Sequence, residues 1–409
     1  MAAFTQKNQV SIFLIFLTFG IAYLFSSLLR GVTATLAPLF VHEFSLSANE
    51  LGLLGGAYFL GFAVMQLPMG SWLDRYGTKR VLAFSLIAAV MGSYLFGAAD
   101  SLPELLIARF LCGMGVSACL IAPLTAARLW LEPSEQQRVN LWMLMAGALG
   151  LLVATLPSQS AAVAYGWRAI FTLVAALFAL TIAAILLWSP KTETAAAPRI
   201  SWFRSYGEVL TNSYTWKIGP VGFFNYATLV AVQTLWVGPW LTDVAGYSSD
   251  EAATGLFWIN LVMLFVFMFL GVITPKIVKS KSGAEGILKL TLPLSLLALF
   301  LIAFLGNLAT WPYFSAYCIA SSALALTHPA VGQHFESHQA GRAIAFFNLL
   351  LFLGVFAAQW GVGLIIAVIN RETLNVITGY QVAFYILSLL STLSYLWFVF
   401  FEKITHRES

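Results

Sequence analysis

The sequence predicts an all-α membrane protein, with twelve transmembrane helices in two pseudo-symmetric six-helix bundles. Three observations lead there. The chain of 409 residues is 60% hydrophobic and only 9% charged, with mean hydropathy +0.86, whereas a soluble domain is about a quarter charged. Its apolar residues run in long unbroken stretches, not in the short alternating segments of a membrane barrel. One polar connection, residues 191–214, divides those stretches into six and six.

A helix needs about 20 apolar residues to cross a bilayer. On that measure the spans run 10–39, 48–70, 80–99, 103–130, 140–163 and 167–189, then 215–242, 251–275, 286–306, 310–332, 342–369 and 377–401. The first begins behind a short polar leader with no small-residue cleavage site after it, so it reads as a retained span. Residues 1–190 form the first bundle, 191–214 a linker with Pro198 and three consecutive alanines, and 215–409 the second bundle. This map puts Arg75, Lys79, Arg80, Arg138, Arg199, Lys279, Lys281, Arg342 and Lys403 on one side. Glu43, Glu50, Asp100, Glu104, Asp243, Asp250, Glu251 and Glu372 fall on the other. The positive-inside rule then makes both termini cytoplasmic. Short loops and the lack of a glycosylation sequon suit a bacterial cytoplasmic (inner) membrane.

The halves echo each other weakly, as two related bundles would. The fourth span leads into Gln136, Gln137, Arg138 and Asn140, and the tenth into Gln339, Arg342 and Asn348. Residues 70–82 form a short charged hairpin bounded by Gly70 and Gly77, with only a worn counterpart at 271–281. The hairpin resembles the loop signature of the major facilitator superfamily. The match covers Gly70, Asp74, Arg75, Gly77, Lys79 and Leu82, and departs at Trp72 and Thr78. The resemblance implies a major facilitator fold in which Gly70, Asp74, Arg75, Gly77, Lys79 and Arg80 latch neighbouring helices at the cytoplasmic face. A purely topogenic basic loop is the plainer alternative.

Arg30 is the leading candidate for a substrate contact. It lies deep in the first span, where an arginine costs about 2.5–3.5 kcal/mol to insert. All 17 Asp and Glu residues map to loops, the linker, the tail or helix ends, so no carboxylate within a span can pair with it. A positive site without an internal counter-ion suits an anion. Hydrogen bonding to main-chain carbonyls, or snorkelling, is the alternative. The segment from Tyr23 through Arg30 and Pro38 to Glu43-Phe44-Ser45-Leu46-Ser47 and Leu51-Gly52-Leu53 resembles the organic anion:cation symporter branch. There an arginine of the first span contacts a phosphate or carboxylate.

Arg109 opens Arg109-Phe-Leu-Cys-Gly113-Met-Gly115, which resembles a second family motif linked to proton movement. Snorkelling to Glu104 or Asp100 is the alternative. His328 is the one histidine inside a predicted span. It is the other proton-coupling candidate, because its ordinary pKa lies near neutrality. In the second half, Asn225, Tyr226, Gln233 and Trp236 of span seven and Tyr313 and Tyr317 of span ten are candidate neutral contacts. Each of these could instead tie helices together. Gly166-Trp167-Arg168-Ala-Ile-Phe171 resembles a family pattern and reads as an interfacial anchor.

The chain carries no nucleotide-binding loop, zinc motif or nucleophile elbow. Its three cysteines, Cys112, Cys119 and Cys318, lie in apolar segments without metal spacing. Neither an enzyme nor a self-contained ATP-driven pump is expected, and no cofactor and no nucleic-acid partner. The expectation is a monomeric secondary transporter that takes up a small organic anion with a proton or another cation. Alternatives are an efflux pump for amphipathic compounds, suggested by 33 Phe and 13 Trp, an importer of a polycarboxylate siderophore, or a non-transporting receptor.

Overall fold

A computed structural model describes residues 6–189, 202–278, 283–373 and 375–405. Pro198 and Arg199 of the linker, and Lys279 and Lys281 of the worn hairpin, lie outside them. The described chain is helical, with no strand. The first half comprises α1 (Gln6–Phe44), α2 (Ala48–Val64), α3 (Gln66–Ala98), α4 (Leu102–Val116), α5 (Ile121–Trp130), α6 (Pro133–Val153), α7 (Leu156–Tyr165) and α8 (Trp167–Trp188). A short amphipathic helix, α9 (Trp202–Thr211), follows. The second half comprises α10 (Ser213–Val244), α11 (Ser249–Val278), α12 (Gly283–Leu305), α13 (Trp311–Ser321), α14 (Thr327–His334), α15 (Ser337–Thr373) and α16 (Val376–Thr405).

Among the described residues, nine helices are long and apolar enough to cross a membrane. The pair α6 and α7, bent by 44°, makes a tenth if counted as one. Pro157 at the start of α7 accounts for the bend, because it has no N–H to continue the ladder of α6. Predicted spans two and ten consist of shorter pieces. α2 has 17 residues, and α13 reaches α14 through the tighter turns of Ser322–Leu326.

Helix ends follow local chemistry. Ser47 and Glu50 form a capping box on α2, with each side chain bonding the other's backbone N–H. The predicted hairpin at 70–82 is more helical than expected. Helical geometry continues to Tyr76 and breaks only at Gly77 (φ 77°, ψ 161°), a conformation open in practice to glycine alone. α10 contains three stretches of wide i→i+5 turns, at Val221–Tyr226, Val232–Trp236 and Trp240–Val244.

Buried apolar side chains form two clusters. One draws mainly on Ile15–Ile185, the other mainly on Val209–Phe398. The halves meet closely where α2 lies along α15. A Cβ on Gly52 would sit 2.5 Å from the Gln359 carbonyl oxygen, so only glycine allows that approach. Trp360 Nε1 donates to Asn49 Oδ1 (2.8 Å) across the same contact. At the far end of α2 and α3, Tyr206 of α9 donates to the Leu67 carbonyl (3.2 Å). We expect Gly52→Val to destabilise the protein by ~1–3 kcal/mol through overpacking against main chain. Thermal unfolding in detergent checks this, and an unchanged midpoint would contradict the close contact.

Candidate functional site

The site begins with the register of α1. Tyr23, Ser27 and Arg30 are spaced by four and three residues and share one helical face. Arg30 Nη2 donates to Ser27 Oγ (3.1 Å). Its Nε is buried with no partner. The tyrosines Tyr23, Tyr58 and Tyr226 surround the guanidinium, the last contributed by the second half. Arg30, Tyr23 and Tyr226 are half-buried. Among the described residues the ion pairs are Arg168 with Glu43, Arg168 with Asp100, and Lys217 with Glu285. None involves Arg30.

α6 sets the position of the Tyr23 ring. A Cβ on Gly147 would lie 2.5 Å from Tyr23 Cε1, so glycine there makes room for the ring. Across the site, Phe62 of α2 meets Phe352 of α15 with centroids 4.4 Å apart. The Tyr226 ring stands edge-on to His328 at 6.2 Å. His328 Nε2 lies 2.8 Å from Asn348 Oδ1. A carboxamide oxygen only accepts, so Nε2 carries the proton and Nδ1 a lone pair.

Arg109 does not reach Glu104 or Asp100. It is buried and turned to α1, where Nη1 donates to the Leu29 carbonyl (2.8 Å) and Nη2 to Thr33 Oγ1 (2.5 Å). Its guanidinium stacks over Tyr58 (5.1 Å) and Phe96 (5.8 Å). Tyr58 in turn donates to the Ser26 carbonyl (3.1 Å). Arg109 thus braces the turns of α1 that flank Arg30.

Of the other predicted contacts, Tyr226 joins Arg30 and the rest do not. Asn225 Nδ2 donates to the Ser391 carbonyl (3.1 Å) and Ser394 Oγ (2.6 Å) of α16. Gln233 Nε2 donates to Asn260 Oδ1 (3.1 Å). Between Tyr226 and Gln233 lies the regular turn Ala227–Ala231, with wide turns on either side of it. Trp236 is buried and donates to the Gln359 carbonyl (3.2 Å). Tyr317 is buried in the second cluster, whereas Tyr313 is 43% exposed on the outer surface. Tyr58 and Ser27 escaped the sequence reading. Ser27 was findable three residues from Arg30, while Tyr58 enters only through packing.

In the hairpin, Asp74 faces Arg342 of α15, Lys79 Nζ donates to the Ser189 carbonyl (2.6 Å), and Arg75 stacks over Tyr76. Arg80 is exposed, and nothing crowds Gly70. The Gly166-Trp167-Arg168 pattern converges on Glu43, which accepts from Trp167 Nε1 (2.6 Å) and from Arg168.

The Major Facilitator Superfamily sequence model matches residues 19–358. A niacin transporter of Acinetobacter baylyi is 27% identical over 173 residues, 42% of this chain and 39% of that one. A hexuronate transporter of Bacillus subtilis is 26% identical over 301 residues, 69% of each. The chain spans about half the length of the first curated relatives it matches. A crystal structure of a bacterial homologue of the human lysosomal transporter Spinster, inward-facing and occupied, superimposes with TM-score 0.75, 17% identity and 98% coverage of both chains. A nucleoside transporter gives TM-score 0.74 at 14% identity over 95% of this chain and 98% of that one.

Removing one acceptor from buried Arg109 leaves a charged donor unsatisfied, a loss of about 1.5–3 kcal/mol. Thr33→Val is therefore expected to lower the thermal midpoint, while Thr33→Ser, which keeps the hydroxyl, holds most of it. Equal midpoints for the two would contradict the Arg109–Thr33 bond.

Proposed function

This chain belongs to the Major Facilitator Superfamily, and we propose that it carries a small organic anion across a membrane by alternating access. The observation that carries the reading is Arg30, a guanidinium enclosed by protein whose side-chain partners are the neutral hydroxyls of Ser27 and Tyr23, with no carboxylate paired to it among the described residues and a buried unpartnered Nε. A carboxylate or phosphate would fill both needs with charge-assisted hydrogen bonds. Niacin and hexuronate, named for two relatives, are both carboxylates.

The helices supply twelve crossings when α2 runs on into the start of α3, α4 joins α5, α6 joins α7, and α13 joins α14. Residues 1–190 and 215–409 are then the two bundles, joined by 191–214, and the anion sits between them. In this reading the basic hairpin faces the cytoplasm with both termini on its side, as the positive-inside rule favours, and the protein is a monomer in a bacterial inner membrane. Asp74 opposite Arg342 latches the hairpin to α15.

An inside-negative potential opposes entry of an anion alone, so uptake requires a co-transported cation. His328 is the proton site in this reading, because its ring meets Tyr226 beside Arg30. Arg109 keeps its proton at all physiological pH and contributes by rearranging its bonds to α1. Losing a charge-assisted contact should weaken transport about 10- to 100-fold. Uptake of a labelled carboxylate and phosphate panel into proteoliposomes should therefore fall by that factor in Arg30→Gln and less in Arg30→Lys. Undiminished uptake in Arg30→Gln would remove Arg30 from the site.

A further inference from the structure

The chemistry around Arg30 narrows its anion further, in an inference that rests on the anion reading above. We propose that the site takes an aromatic monocarboxylate, a flat ring with its carboxylate on Arg30 and a single polar atom on the opposite edge.

The charge count favours one carboxylate. Arg30 has one hydrogen-bonded Nη, to Ser27, whereas both Nη groups of Arg109 are turned away to the Leu29 carbonyl and Thr33 of α1. A second anionic group would therefore meet no free cation among the described residues at this site. The walls favour a ring. Tyr23, Tyr58 and Tyr226 enclose the guanidinium. Beyond Tyr226 stand His328 at 6.2 Å and then Phe347, 5.7 Å from His328, both edge-on. Phe62 and Phe352 close the α2–α15 side. Aromatic rings favour such edge-to-face and offset neighbours over aliphatic surface.

The neutral polar groups disfavour a polyhydroxylated anion. A sugar acid needs an amide or hydroxyl partner for each hydroxyl it withdraws from water. The amide N–H groups of three residues of the second half are already engaged, Asn225 with α16, Gln233 with Asn260 and Gln359 with Thr234, although Gln359 Oε1 is buried without a partner. What remains beside Tyr226 is the His328–Asn348 pair. With Nε2 committed to Asn348, the His328 Nδ1 lone pair and the Asn348 amide N–H groups have no other partner among the described residues. They can serve one heteroatom or hydroxyl on the ligand.

Isothermal titration of the full-length protein in detergent separates this proposal from the broader one. The probes are benzoate, pyridine-3-carboxylate, cyclohexanecarboxylate, glucuronate and benzamide. The two aromatic acids should bind about 10-fold or more tightly than cyclohexanecarboxylate and glucuronate, and benzamide should bind weakest. Tyr226→Leu should abolish the preference for benzoate over cyclohexanecarboxylate, and Tyr226→Phe should restore it. Asn348→Leu should erase any advantage of pyridine-3-carboxylate over benzoate. If cyclohexanecarboxylate or glucuronate binds as tightly as benzoate and Arg30→Gln still abolishes binding, the aromatic assignment fails while the anion reading stands. If benzoate binds equally well to Arg30→Gln, the anion reading fails, and this proposal falls with it.

Discussion

A guanidinium held deep in a membrane-spanning helix without a fixed anion is the constraint from which the account of this protein follows. Leaving water for lipid or the protein interior penalises such a charge unless its donors are met. Two arginines meet that demand differently. Arg109 spends its donors on main chain and Thr33 of α1, and becomes part of the scaffold. Arg30 bonds Ser27, and the Nε of each guanidinium is buried without a partner. Arg109 is held by two acceptors of α1 and lies over two rings, whereas Arg30 has the Ser27 hydroxyl and the tyrosines around it.

The two are mechanically linked. Leu29 and Thr33, which hold Arg109, flank Arg30 on α1. The Tyr58 ring lies beneath Arg109 and beside Arg30, with its hydroxyl on the Ser26 carbonyl. α1 is thus gripped from α4 and α2 around the turn that carries the free charge. Tyr226 brings the second half to the same point through the wide turns of α10. A ligand bridging Arg30 and Tyr226 would touch both halves, which is the requirement for coupling binding to their relative motion.

Much of this was legible in the sequence, and the gaps have physical causes. Composition and long apolar runs announced a helical membrane protein. The Gly70–Leu82 pattern announced its family, to which the chain belongs. Arg30 stood out because an arginine in an apolar run demands an explanation. Partners within one regular helix, such as Ser27, follow from spacing alone. What was hidden depends on backbone irregularity and packing. Gln233 pairs with Asn260, Asn225 turns to α16, and Tyr58 reaches Arg30 only because α2 lies against α1. No periodicity argument contains that information.

The most direct measurement is of the contact itself. Protein with nitrogen-15 in its arginine side chains, reconstituted with benzoate carbon-13-labelled at the carboxylate, can be studied by solid-state dipolar recoupling. The account predicts dephasing of the Arg30 side-chain nitrogens, corresponding to a contact of about 4 Å or less, assigned by its loss in Arg30→Lys. A guanidinium signal from residue 30 that shows no dephasing with saturating ligand would contradict it.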